Sequence, residues 1–329
     1  VEVKEETPAW LDKSHPNFLR WKRARELSVE RGKFVRSIVS QKLPVKNLTV
    51  LDLGSGEGGT SRVLSDDNFV VSFDLSLIKL QRQLLNVIPK DPDFNLETEK
   101  SLKNNIVISK EGSYPTEKSS TISQTGFLPR QVGIEMTAIN YPNDLAFVNG
   151  NALQLPFEDH SFDLIIIQDV IEHLNDIKFL HIEIKRVLKL KGMIYLSTPN
   201  KYSLFNFLSD PHFGLPVVSV LKREQIKKYF LKYFRKDDYY RTDIAQLFSL
   251  NELLDLFNND FKISLHTKFS VEELFNGNKG IVWSDFHLKI ISFCKIIKLD
   301  WVVNKIANDK IGTLNKVFTP TFYVIFKLK

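Results

Sequence analysis

The chain is poor in cysteine and in uninterrupted apolar runs, and each shortage removes a class of protein. One cysteine, Cys294, in 329 residues leaves no internal disulfide framework and fits a reducing compartment. No apolar run reaches the roughly eighteen uncharged residues of a membrane span, and no charged-then-apolar signal opens the sequence. A cytoplasmic location follows as the expectation, with peripheral contact at an inner membrane surface as its extension. Clustered arginines with interleaved aromatics, the footprint of a nucleic-acid face, are also missing. The net charge of +6 is small for this length, so a lysine-rich soluble protein is expected before one built around an anionic partner. Trp21, Lys22, Arg23, Arg25 and Arg31 are spaced like a solvated helix face.

Glycine is concentrated where it matters. Val50-Leu51-Asp52-Leu53-Gly54-Ser55-Gly56-Glu57-Gly58-Gly59 runs an apolar strand into a turn stripped of side chains, with helical N–H groups expected from Thr60 onward. The spacing of Gly54, Gly56 and Gly59 also fits a nicotinamide-binding turn. Asp52 favours instead a ligand carrying an ammonium group. Phe69-Val70-Val71-Ser72-Phe73-Asp74 then reads as a buried strand whose terminal acid, about twenty residues past the turn, suits the hydroxyls of a ribose.

The run Gly150-Asn151-Ala152-Leu153-Gln154-Leu155-Pro156-Phe157, followed by the apolar strand Phe162 to Ile167, completes a pattern. With it the chain resembles class I S-adenosylmethionine-dependent methyltransferases over roughly residues 30 to 85 and 146 to 200, with a weaker match at the C-terminus. The resemblance implies a Rossmann-like α/β fold: a seven-stranded, mostly parallel sheet with helices on both faces. It also implies S-adenosylmethionine as cofactor, held by Asp52, Gly54, Ser55, Gly56, Asp74, Leu75, Asn151, Ala152 and Gln168. Position 151 departs from the family's usual Asp, and the Asn amide oxygen would accept from the adenine amino group without charge.

Residues 1–49 read as a tail and helical cap, the helix running from Asn17 to Val39, and residues 50–329 as the methyltransferase domain. Two surplus segments interrupt it. The first, about 88–144, carries a loop at Ser119–Gly126 and a short strand at Ile106–Ile108, and reads equally as a tolerated insertion, a lid or a dimerisation arm. The second, 204–245, is rich in Phe, Tyr and Lys and is expected to wall the acceptor pocket. A helix is expected from Asp169 to a Lys191-Gly192 stop, a fifth strand at Met193–Ser197, and a capping-box helix from Ser249 to Phe257. Strands are expected at Phe261–Thr267 and Pro320–Phe326. Phe286–Val303, very apolar with lysines at 289, 295 and 298, reads as packing against the fold or a second subunit before a membrane surface.

Asp169, Glu172 and His173 fall at spacings of three and four, which would set them on one helical face as a base or as metal ligands. This segment resembles the acidic-x-x-Glu-His signature of metal-using methyltransferases acting on ubiquinone-precursor phenols and on the terminal ribose of small RNAs. His212 is the candidate fourth ligand for a divalent metal. Asn200, Tyr202 and His212 are the candidate acceptor contacts; Tyr239, Tyr240 and Arg241 read as an aromatic cluster. The other histidines, His15, His160, His181, His266 and His287, carry no such constellation. Ser197–Ser203, Asp210–Gly214 and Leu221–Arg223 resemble bacterial methyltransferases associated with surface glycans, which makes a sugar hydroxyl the expected acceptor. RNA or phenol O-methylation, a cofactor-binding scaffold subunit and a nicotinamide-dependent oxidoreductase are the alternatives.

Overall fold

A computed structural model describes residues 18–87, 107–108, 145–236, 239–240, 244–278, 280–281 and 285–329. The Ser119–Gly126 loop, most of the first insertion, His15 and Arg241 lie outside the described residues, as do the side chains of Trp21 to Arg25 and of His287.

The chain runs α1 (Phe18–Ser40), β1 (Thr49–Leu53), α2 (Gly59–Leu64), β2 (Phe69–Asp74), α3 (Leu77–Val87), β3 (Val107–Ile108), β4 (Leu145–Asn149) and β5 (Phe162–Gln168). It continues through α4 (Ile177–Val187), β6 (Leu188–Pro199), α5 (Leu204–Leu208), α6 (Leu250–Phe257), β7 (Phe261–Leu265) and α7 (Thr267–Phe275). It ends with α8 (Asp285–Ile296), α9 (Leu299–Ile306), α10 (Thr313–Val317) and β8 (Thr321–Leu328). One sheet holds the strands in the order β3-β4-β2-β1-β5-β6-β8-β7. All neighbours pair in parallel except β8, which runs antiparallel to both β6 and β7. The expected seven strands are present, and the two-residue β3 adds an eighth at the edge.

Period-two alternation divides the core between the two faces. Leu51, Leu53, Ile165, Ile167 and Leu196 meet α4 and α6 through Leu180, Ile184, Leu253 and Phe257. Val50, Val70, Leu164, Ile166 and Tyr195 meet α1 and α3 through Phe34, Ile38, Leu80 and Leu84. Strand order reverses between β1 and β5, so the switch point lies over the turn that follows β1, where open α/β sheets hold ligands.

Ser249 and Glu252 form the expected capping box, and α6 ends at Phe257 as read. Several expected boundaries differ. Thr267, expected at the end of a strand, opens α7, and β7 stops at Leu265. The helix after β5 starts at Ile177, where the Asp176 carboxylate accepts from the Lys178 and Phe179 N–H groups, and Ile171–His173 is a 3-10 turn. Lys191-Gly192 stops no helix: α4 ends at Val187 and the chain enters β6 directly, where the register against β5 shifts between Phe162 and Leu164.

Candidate functional site

The turn after β1 is left-handed at Gly54, Gly56 and Gly58, with φ of 74°, 58° and 75°. Such angles need glycine, and a Cβ at Gly54 would also sit 2.4 Å from the Val170 Cγ2. The turn is held from below. Gly54 and Ser55 donate N–H bonds to the Phe73 carbonyl at 2.7 and 3.0 Å. Gly56 N–H donates to Asp74 Oδ2 at 2.9 Å, and Asp74 Oδ1 accepts from Ser76 N–H at 2.8 Å. Asp74 therefore ends β2 beside the glycine turn, with both carboxylate oxygens engaged by backbone N–H groups.

Asp52 does not face that opening. Alternation puts it on the same sheet face as Val50, buried under α2, where its Oδ2 accepts from Ser61 Oγ at 2.5 Å. Ser61 Oγ lies 3.1 Å from Ser72 Oγ, which donates to Gln83 Oε1 at 2.6 Å. Gln83 Nε2 returns to Ser55 Oγ and the Gly56 carbonyl at 2.9 and 2.8 Å. The expected ammonium contact at Asp52 is thus replaced by a buried chain that braces the turn. Burial pushes the Asp52 carboxyl up to about 6, against the Ser61 hydrogen bond that lowers it.

Leu75, next to Asp74, is 77 % exposed, an apolar surface at the sheet's carboxyl edge. Asn151 Oδ1 accepts from Leu153 N–H at 3.0 Å, so the oxygen expected to meet adenine already closes the local turn. Ala152 is half-buried against the core. Gln168 ends β5 and its Oε1 accepts from Thr60 Oγ1 at 3.0 Å, tying β5 to the start of α2.

Asp169, Glu172 and His173 share no helical face. Asp169 is left-handed at φ 55°, and its carboxylate is taken by Arg31 of α1 and by Ser197 Oγ at 3.1 Å. Arg31 is consequently not on a solvated face: it closes over the ends of β5 and β6. Burial alone would lower its pKa, but Asp169 outweighs burial and raises it. Among the described residues, the side chains placed so that they could share a metal ion are Glu172, His173 and His212, each offering a ligand atom within 4.8 Å of the others; Asp169 stands outside this group. The His173 and His212 rings meet edge-on with centroids 5.1 Å apart, and His212 Nε2 lies 4.0 Å from Glu172 Oε1.

Glu172 is fully buried. Its Oε2 accepts from Thr198 Oγ1 at 3.0 Å, whereas Oε1 has no hydrogen-bond partner among the described residues. Burial, then the nearby Asp169 charge, pushes its carboxyl up to about 8. Asp210 presents His212 from a turn in which its Oδ1 accepts from the His212 and Phe213 N–H groups at 2.8 and 2.9 Å.

Asn200 is not an acceptor contact. It is fully buried and its Nδ2 donates to the carbonyls of Lys316 and Thr319 at 3.0 and 2.8 Å, while Oδ1 accepts from Tyr202 N–H at 3.1 Å. Tyr202 remains exposed. Arg223 is the other clamp: it donates to the carbonyls of Glu172, Leu174 and Ile244 at 2.9, 2.6 and 2.8 Å and to Asn175 Oδ1 at 2.6 Å. No residue spacing announces it. Tyr239 and Tyr240 pack edge-on at 5.2 Å, with Tyr240 largely exposed. His181 belongs elsewhere, 3.1 Å from Asp260 and packed on Phe257.

A family profile described as a methyltransferase domain matches residues 125–196, less than half of the chain. An uncharacterised protein of Methanocaldococcus jannaschii is 48% identical over 54 residues, which is 16% of this chain and 24% of that protein. The match thus spans about a quarter of that relative's length. A solved Pyrococcus horikoshii protein superposes with a TM-score of 0.41 at 15% identity, covering 90% of this chain and 88% of that one. Phosphoethanolamine N-methyltransferase 2 of Haemonchus contortus, in complex with S-adenosyl-L-methionine, gives 0.43 at 15% identity, covering 90% of this chain and 52% of that one. The strand order, with its glycine turn at the switch point, is that of the Rossmann-like class I methyltransferase fold.

Proposed function

We propose that this protein transfers a methyl group from S-adenosylmethionine to a hydroxyl, with a sugar as the acceptor. The observation that carries the reading is the convergence, at one carboxyl edge, of the glycine turn, Asp74 and the group formed by buried Glu172 with the half-buried His173 and His212. The turn fits the cofactor: a Cβ at Gly56 would meet nothing nearer than the Gly54 carbonyl at 3.9 Å, so that side of the backbone is open to close approach. Asp74 suits the ribose, and exposed Leu75 offers an apolar surface to the adenine.

S-Adenosylmethionine supplies, when bound, a methyl group on a positively charged sulfur. The chain's own work is to place the acceptor oxygen in line and to take its proton. His173, at the carboxyl end of β5 and against His212, is the base we assign; a ring nitrogen accepts the hydroxyl proton. Glu172, buried beneath, sets a carboxyl oxygen 4.0 Å from His212 Nε2. The same three residues fit a divalent metal: the unpartnered Glu172 oxygen and two imidazoles are a donor set that zinc, manganese or iron accepts. Bound there, the ion would lower the pKa of the acceptor hydroxyl.

The sugar preference is supported by the resemblance of Ser197–Ser203, Asp210–Gly214 and Leu221–Arg223 to glycan-associated enzymes. Within those stretches Asn200, Asp210 and Arg223 brace the backbone, so the likeness includes the scaffold of the acceptor side. Calorimetric titration with S-adenosylhomocysteine and separately with NADH tests the cofactor. Binding of the first, abolished in Asp74→Ala, is the expected result. Binding of NADH alone overturns the reading. Turnover with sugar acceptors, measured with and without chelator, then assigns the role of the Glu172 group.

A further inference from the structure

The helical hairpin α8–α9 faces away from the fold. Its inner side is small, formed by Ile291 with Cys294 and Val303 against Val271, Leu274 and Phe275 of α7. Its outer side carries Phe293, Ile296 and Ile297 at i, i+3 and i+4, then Leu299, Val302 and Ile306 at i, i+3 and i+7, with Trp301 beside them. All are exposed; Ile296 is 79 % and Trp301 64 % accessible. Of the two uses expected for this stretch, against the fold or against a second subunit, the first accounts for the inner side.

Charge is distributed around that face with one sign in excess. Between residues 289 and 316 stand six lysines against two aspartates, Asp300 half-buried and Asp309 exposed. Lys289, Lys295, Lys298 and Lys305 are exposed, and Lys305 Nζ lies 4.9 Å above the Trp301 ring. Lysines need not share a helical face to act together, because their long stems reach past apolar neighbours.

Further apolar residues are exposed elsewhere on the surface. Phe318 and Ile311 are exposed in the segment that leads into β8, and Leu204, Phe205 and Leu208 are exposed on α5. Asn206 of α5 donates to the Pro320 carbonyl at 2.7 Å and to the Asn200 carbonyl at 2.9 Å, so these segments are bolted together at the exit of β6.

We propose that this face docks on a lipid bilayer carrying anionic headgroups, with Trp301, Phe293, Ile296 and Ile297 entering the interface and the lysines meeting the headgroups. Isolated exposed apolar residues are ordinary, but an aromatic and aliphatic set of this size framed by cations is the composition of an interfacial helix. No helix among the described residues is long and apolar enough to cross a membrane, so the contact is peripheral. The excess of lysine selects anionic over neutral headgroups.

The test is sedimentation of the full chain with vesicles of phosphatidylcholine alone and of phosphatidylcholine mixed with phosphatidylglycerol. Binding to the mixed vesicles, weakened by salt, is expected. The triple variant Lys295→Gln, Lys298→Gln, Lys305→Gln should lower the partition coefficient about a hundredfold, roughly fivefold per lysine. The double variant Phe293→Ser, Trp301→Ser should abolish it, with S-adenosylhomocysteine binding and circular dichroism reporting that the variants fold. Absence of binding to mixed vesicles overturns the proposal. So does binding that neither variant changes, or a concentration-dependent dimer whose formation depends on the same apolar residues.

Discussion

Asp52 shows what one buried carboxylate does to the turn above it. It is placed by strand alternation, not by the ligand, and its acid is raised from 3.8 to about 6, chiefly by burial. Below the lower value the group is protonated in folded and unfolded chains alike and its full contribution to stability is present. Between about 4 and 6 the unfolded chain releases the proton while the folded one keeps it, so stability falls as pH rises through this window and stays lower above it. Asp52→Asn keeps an oxygen for Ser61 without the charge. It should match the unaltered chain near pH 4 and exceed it near pH 7 by about 1–3 kcal/mol. Urea unfolding at the two pH values checks this; a difference independent of pH would remove the buried charge as its cause. Affinity for S-adenosylhomocysteine should stay within a few fold, since the carboxylate faces Ser61 and not the opening.

At the scale of elements, α1 is held over the site by a contact between backbones. A Cβ on Gly59, at the start of α2, would lie 2.1 Å from the Ser28 carbonyl carbon, and one on Gly32 would lie 2.6 Å from the Gly59 oxygen. Neither obstruction is a flexible side chain. Gly59→Ala must therefore push α1 away from α2 and carry Arg31 off Asp169. A loss of about 1–3 kcal/mol is expected, with cofactor affinity falling roughly tenfold; thermal melting and titration with S-adenosylhomocysteine read the two effects. Unchanged affinity would mean that α1 does not cap the pocket. The α1 helix itself was legible from its apolar spacing, and α6 from Ser249 and Glu252, because both signals are local. The Asp169–His173 stretch was not, since its three-and-four spacing is shared by a helix and by a left-handed residue followed by a 3-10 turn. What decides between them is Asp176, a helix cap seven positions later. Arg31 was misread for a related reason: spacing along one helix says nothing of the element that packs across it.

Over the whole molecule, the second insertion has its own small core, Phe213, Val218, Ile226, Leu231 and Ile244, separate from the two clusters that sandwich the sheet. A satellite core of this size does not fix its own position; a clamp must do so. Arg223 is that clamp, since one guanidinium joins the Ile244 carbonyl of the insertion to the carbonyls of Glu172 and Leu174, directly behind His173. Gln246 N–H adds a bond to the same Glu172 carbonyl at 2.8 Å. His212 comes from the insertion and His173 from the sheet edge, so the geometry of the pair depends on how the two bodies are joined. Arg223→Lys keeps the charge but loses the fork that reaches several carbonyls at once. The variant should bind S-adenosylhomocysteine with unchanged affinity, because the glycine turn and Asp74 lie on the other half of the sheet. Its kcat should fall about tenfold or more, because a displacement near 1 Å at the reacting groups is costly. Calorimetry and steady-state kinetics on the same preparation separate these effects. Equal loss of cofactor affinity and turnover would instead make Arg223 a support of the entire fold, and the two-body description of the acceptor side would fail.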